Sequence, residues 1–194
     1  REAYSAAVAD EIAMICAKIP HEDLAIQWDC STEVQEAYGA GPGIAKETAI
    51  PSAAAQFAAL CPAIPEKAAL GYHLCFGTLG GWPRFAPDDL SACVDLANAV
   101  IEASGRRVDW MHIPALDTVE EKFYAPLARL KPKGAKVYLG LVHHMETFEQ
   151  RLKIARKFLP EFGIAAYCGL GRTPPAGLGA VLEEHRRAAE MADR

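Results

Sequence analysis

The sequence contains no run of five or more like charges. With 20 Lys and Arg against 25 Asp and Glu, its formal net charge is only −5. The polybasic footprint of a nucleic-acid binder is therefore missing. No apolar stretch approaches the ~20 residues that span a bilayer. The opening Arg1-Glu2-Ala3-Tyr4 has neither the pattern of a signal peptide nor an initiator Met. Neither nucleic acid nor a membrane is expected as a partner. Gly (15) and Pro (13) stay near ordinary usage, which excludes collagen-like and low-complexity chains. The six cysteines, at 16, 30, 61, 75, 93 and 168, lack the spacing of a disulfide framework. A reducing compartment, the cytoplasm, is the expectation. What is left, 194 residues that are 51% hydrophobic and 23% charged, suits a soluble α/β-type protein with one substantial core or two small ones.

Tyr4, Val8, Ile12, Ile15 and Ile19 recur at spacings of three and four and predict an amphipathic helix ending before Pro20. Residues 24–28, Leu-Ala-Ile-Gln-Trp, read as a buried strand running to Asp29. Gly39, Gly41, Pro42 and Gly43 interrupt residues 31–46, which are expected to form a long loop. Strand-like runs then alternate with helical ones. Residues 68–75, 108–113, 136–142 and 162–167 are strand-like. Between them, Leu90, Cys93, Val94, Ala97, Val100 and Ile101 give a clean helical face, residues 120–130 a weaker one, and Phe148, Leu152, Ala155 and Leu159 a third. Thr147, followed three residues later by Gln150, resembles a capping box. Pro174 and Pro175 open a last helix with Leu178, Val181, Leu182 and His185.

Such alternation implies βαβ units and a mostly parallel sheet. Five strands fit an open doubly wound sheet or the second half of a (β/α)8 barrel, which normally takes ~250 residues. In both, functional groups gather at the carboxyl ends of strands. Asp29, His73, Cys75, His112, His143 and Cys168 all stand there.

His73-Leu74-Cys75 carries the most chemistry. Residues i and i+2 of a strand share a face, so an imidazole and a thiol project together. With Cys168, three soft or borderline donors suit Zn²⁺, and three protein ligands with one open position mark a catalytic zinc. A thiol entering that position is deprotonated by the metal. The alternative is that His73 bonds a loop carbonyl and the cysteines fill space. His143 and His144 close a strand, one of them facing a pocket or both lying in a solvated loop. Arg172, beyond Cys168-Gly169-Leu170-Gly171, stands where a substrate carboxylate or phosphate would be bound, although Gly-x-Gly there reads first as a tight turn. Trp82, in Gly80-Gly81-Trp82-Pro83, either covers a substrate or packs on a helix.

The ordered set Ile26-Gln27-Trp28-Asp29, His73-Leu74-Cys75-Phe76, Val108-Asp109-Trp110-Met111-His112 and Cys168-Gly169-Leu170 resembles the C-terminal catalytic barrel of cobalamin-independent methionine synthase. That barrel belongs to a superfamily with uroporphyrinogen decarboxylase and zinc-dependent thiol methyltransferases, and the chain is most similar to the superfamily's short members. The resemblance runs over nearly the whole chain. It implies that residues 1–194 are the C-terminal part of one (β/α)8 barrel, roughly strands four to eight, with the first half preceding Arg1. It also implies that His73, Cys75 and Cys168 bind zinc, and that the zinc activates a small-molecule thiol such as homocysteine to accept a methyl group from a methyl donor such as methyltetrahydrofolate. Asp29 would hold the substrate's amino group.

Two positions depart from the family's pattern. Where the synthases have Asp-Glu-Pro-Ala, this chain has Asp29-Cys30-Ser31-Thr32, and the next carboxylate is Glu33. Where they place a fourth zinc ligand, a Glu, this chain has Pro114, with His112 two residues earlier on the same face as a substitute. Two other readings follow: a metal-free lyase or decarboxylase of the same superfamily, or an inactive barrel half that serves as a binding subunit. Half a barrel would need its missing half or a second copy of the chain.

Overall fold

The computed structural model describes residues 2–41 and 43–193; Pro42, expected in a loop, lies outside them. The chain runs α1 (Glu2–Cys16), β1 (Ala25–Cys30), α2 (Ser31–Ala37), α3 (Lys46–Leu60), β2 (Ala69–Leu74) and α4 (Ser91–Ala103). It continues with β3 (Trp110–Pro114), α5 (Glu121–Tyr124), β4 (Lys136–Val142), α6 (Met145–Phe158), β5 (Gly163–Ala166) and α7 (Leu178–Ala192). All five expected strands form, with ends shifted by one or two residues.

The strands make one all-parallel sheet in the order β1-β2-β3-β4-β5. The helices touch one another in a row: α1 on α3, α3 on α4, α4 on the 3₁₀ turn Ala125–Arg129, that turn on α6, and α6 on α7. A doubly wound sheet would reverse its strand order at a switch point and carry helices on both faces. The sequential order with one helix layer is instead a singly wound, barrel-like α/β arrangement.

Strand alternation sorts the residues between two surroundings. Toward the helices point Leu70, Tyr72 and Leu74 of β2, Met111 and Ile113 of β3, and Leu139 and Leu141 of β4, all with no exposed surface. Each such aliphatic side chain contributes ~1.5–3 kcal/mol by leaving water. The Tyr72 hydroxyl is satisfied in this layer by Ser104 Oγ at 2.7 Å and Cys61 Sγ at 3.4 Å. The opposite face is polar. Its central register row is Asp29, His73, His112 and Tyr138, and the row below pairs Gln27, Gly71 and Trp110.

Three expectations need correcting. Residues 31–46 are not one long loop, because Ser31–Ala37 is helical and α3 begins at Lys46. Both helices bury small or polar residues, Val34, Gln35, Glu36 and Ala37 in one and Ala49 and Ala53 in the other, which hydrophobic periodicity does not register. The weak helix over 120–130 is one α-turn, Glu121–Tyr124, followed by the 3₁₀ turn Ala125–Arg129. Thr147 is not a capping residue, since α6 starts at Met145 after His144 in the left-handed region, and the Thr147 hydroxyl lies 3.1 Å from the His144 carbonyl within the first turn.

On the polar face the Trp110 indole lies flat across Gly71, where a methyl group would stand 1.8 Å from its Cε2. Gly71→Ala is therefore expected to displace the indole and cost about 1–3 kcal/mol. Urea unfolding followed by tryptophan fluorescence measures it, and an unchanged midpoint would contradict this packing.

Candidate metal centre

Cys75 follows the last residue of β2, and its Sγ accepts a hydrogen bond of 3.2 Å from the Gly77 N–H. That turn needs glycine: Gly77 has φ +82°, and a Cβ there would meet Arg84 Cβ at 3.0 Å. Cys168 follows β5 and precedes Gly169, whose φ of +103° turns the chain back toward Thr78. Thr78 Oγ1 lies 3.8 Å from Cys168 Sγ and accepts a hydrogen bond from Arg172.

These turns bring one ligand atom each of His73, Cys75 and Cys168 within 4.8 Å of one another. In a flat sheet β2 and β5, three strand spacings apart, would lie about 14 Å from each other. Curvature of the sheet and the inward turn after β5 together close that gap. The cluster lines a cavity of about 190 Å³ with Asp29, Arg84 and Arg172 among its walls. Larger clefts, about 670 Å³ beside Tyr38 and Asp89 and about 630 Å³ beside Tyr138 and Phe162, hold no such cluster among the described residues.

The electrostatics follow from burial. Desolvation pushes the Cys75 thiol up to about 12; the Gly77 N–H opposes this, and Cys168 and Asp29 add to it. Desolvation also lowers His73, against the pull of Asp29. Without a cation both groups are neutral near pH 7, a thiol and an imidazole. Asp29 stands at the open end of β1, accepting 2.9 Å from Gln27 Nε2, while Gln27 Oε1 accepts 3.1 Å from Trp110 Nε1.

The donor set fits zinc: two cysteine sulfurs and one histidine nitrogen, converging from two strand ends. Pro114 is buried, pairs in register with Gly140 and offers no side-chain donor. His112 does not join the cluster. Its Nδ1 lies 2.6 Å from His73 Nδ1, and only 7% of its surface is exposed.

The other sequence candidates are elsewhere. Glu33 sits half-buried on α2 outside the cavity, where its charge bears on Cys30. Trp82 stacks on Tyr167 at 4.8 Å and on Phe76 at 5.8 Å, and with His143 it lines a second cavity of about 260 Å³. His143 is 4% exposed, with Nε2 2.9 Å from the Ala115 carbonyl and 3.2 Å from Arg151 Nη1. Arg151 is itself fully buried and donates to the carbonyls of His143 and His144. It is a residue the sequence reading missed. The signal was present, since Phe148, Arg151, Leu152 and Ala155 form one i, i+3, i+4, i+7 stripe. Thr78 and Arg84, also missed, lie in a loop with no periodicity to mark them. The residues of the second candidate cluster, Asp117, His144 and Glu146, are all exposed.

The chain matches no known protein-family model and no curated protein. All six cysteines are free, and no helix is long and apolar enough to cross a membrane among the described residues.

Burial keeps His143 neutral down to about 4 and His112 down to about 3, whereas an unfolded histidine takes its proton near 6.5. The unfolded chain therefore binds more protons below pH 6.5, so stability is complete above that pH and falls as the pH drops toward 4. Each such histidine contributes up to about 1.4 kcal/mol per pH unit in that window. Urea midpoints between pH 7.5 and 5 should show this slope, reduced in His143→Gln; a flat profile would contradict neutral burial.

Proposed function

We propose that this chain is the C-terminal part of a (β/α)8 barrel enzyme, roughly its strands four to eight, that transfers a methyl or related alkyl group to a small-molecule thiol at a zinc held by His73, Cys75 and Cys168. The convergence of those three donors within 4.8 Å at the carboxyl ends of β2 and β5 carries the reading. Three protein ligands and one open position suit catalysis rather than a closed structural site. Zinc bound there would supply Lewis acidity, drawing the proton from a thiol in the fourth position.

This chain's own residues then bind and orient the substrate. Asp29, held by Gln27, presents a carboxylate to an ammonium group. Arg84 and Arg172, on the other walls of the cavity, present guanidinium groups to a carboxylate. Trp82, stacked on Phe76 and Tyr167, lines the neighbouring cavity with Tyr167. In the net exchange the thiol sulfur gains the methyl group, the donor's N–CH3 bond breaks, and the thiol proton replaces the methyl on the donor nitrogen. An N-methyl pterin is the donor class that the family resemblance suggests.

The remainder of the barrel, or a second copy of the chain, would cover what is left open. Ala25, Gln27 and Asp29 of edge strand β1 are exposed. Flanking helices expose Tyr4 (65%) and Met14 (59%) at one side and Leu182 (65%) at the other. These lie where a barrel's first half would pack.

Metal analysis of the purified protein tests the reading. About one zinc per chain is expected at neutral pH. Cys75→Ser and Cys168→Ser should each lose more affinity than the roughly 10- to 100-fold that an outer-shell change costs. A folded protein that takes up no zinc when supplied with it would overturn the proposal.

A further inference from the structure

The polar register row holds a contact that the ligand set leaves unused. His73 on β2 and His112 on β3 are direct register partners, and their rings lie parallel within 2°, with Nδ1 to Nδ1 at 2.6 Å. At that distance one nitrogen must carry a proton and the other a lone pair. Two N–H groups aimed at each other would clash hydrogen against hydrogen, and two lone pairs would repel.

We infer that His112 is a positioning residue: its Nδ1 accepts the hydrogen bond, holds the His73 proton on Nδ1, and so leaves His73 Nε2 with the free lone pair that a metal needs. The inference rests on the zinc reading of this site and deepens it. The opposite arrangement, His112 donating to His73, would put the His73 proton on Nε2 and block ligation.

Surroundings on the far side of His112 decide between the two. Its Nε2 is buried and has no hydrogen-bond partner among the described residues. It faces a narrow gap at Gly140, where a methyl group would stand 3.1 Å from Nε2 and 3.4 Å from the Ala166 carbonyl oxygen. A carbonyl oxygen across that gap would attract an N–H and repel a lone pair, so it favours the proton on Nε2. A neutral imidazole carries one N–H, so a proton on Nε2 makes His112 Nδ1 the acceptor. A chain of dependence thus runs from the β5 backbone, two residues before Cys168, through His112 to His73. Outer-shell partners of ligating histidines commonly fix the tautomer in this way.

Nitrogen-15 NMR of the metal-free, histidine-labelled protein reads the tautomers directly. The expected result is Nδ1–H for His73 and Nε2–H for His112; a His73 proton on Nε2 overturns the inference. This readout needs no metal, so it stands apart from the zinc reading, which fails on its own if the unsubstituted protein binds none. Zinc titration against a chromophoric chelator gives the second measurement. His112→Phe, which keeps a planar ring without an acceptor, should lower zinc affinity about 10- to 100-fold. His112→Asn, which restores a carbonyl acceptor, should recover part of it. A folded His112→Phe protein with unchanged affinity overturns the inference, and the spectrum of the unsubstituted protein decides even where a variant does not fold.

Discussion

Side-chain alternation along β2 sets both the core and the site, because its successive residues face different surroundings. Leu70, Tyr72 and Leu74 are sealed in the helix layer, while Gly71 and His73 lie on the polar face and Cys75 continues their line. A slip of one residue would drive His73 into the apolar layer and turn Tyr72 out of its contacts with Ser104 and Cys61. The apolar burial on one side therefore fixes the direction of the imidazole on the other. Neighbouring strands inherit the same order through the register, which aligns Asp29, His73, His112 and Tyr138 across the sheet.

Alternation alone does not bring Cys168 to Cys75, which hang from strands with two others between them. Curvature of the sheet and two glycine turns do that, at Gly77 and Gly169, both in the left-handed region. The cost is a polar face left partly open, with buried groups that lack full hydrogen bonding. Among the described residues, His112 Nε2 and His143 Nδ1 are buried without partners, and desolvation pushes the Cys75 thiol up to about 12. Such groups are unfavourable in a purely structural role and gather at sites where a ligand completes them.

Much of this was readable from residue order. All five strands were visible as largely apolar runs between helical stretches, and the shared face of His73 and Cys75 follows from the two-residue period of a strand. Small side chains hid the rest. In α3 the buried stripe is Ala49, Ala53, Phe57 and Leu60, with Pro51 in the first turns, so neither hydrophobicity nor helix propensity stands out. The His73–His112 contact depends on cross-strand register, which no local pattern encodes. Arg151 sat in plain view on the apolar stripe of α6, but an arginine on an amphipathic helix reads as solvated until the carbonyls of His143 and His144 are placed over it.

The central claim is that two thiolates and one imidazole of this chain hold a single metal. X-ray absorption at the zinc edge, on protein loaded with about one equivalent, tests it most directly. The account predicts two sulfur neighbours at about 2.3 Å and at least one nitrogen at about 2.0–2.1 Å, with the sulfur signal halved in Cys168→Ser. A shell of nitrogen and oxygen alone would contradict it.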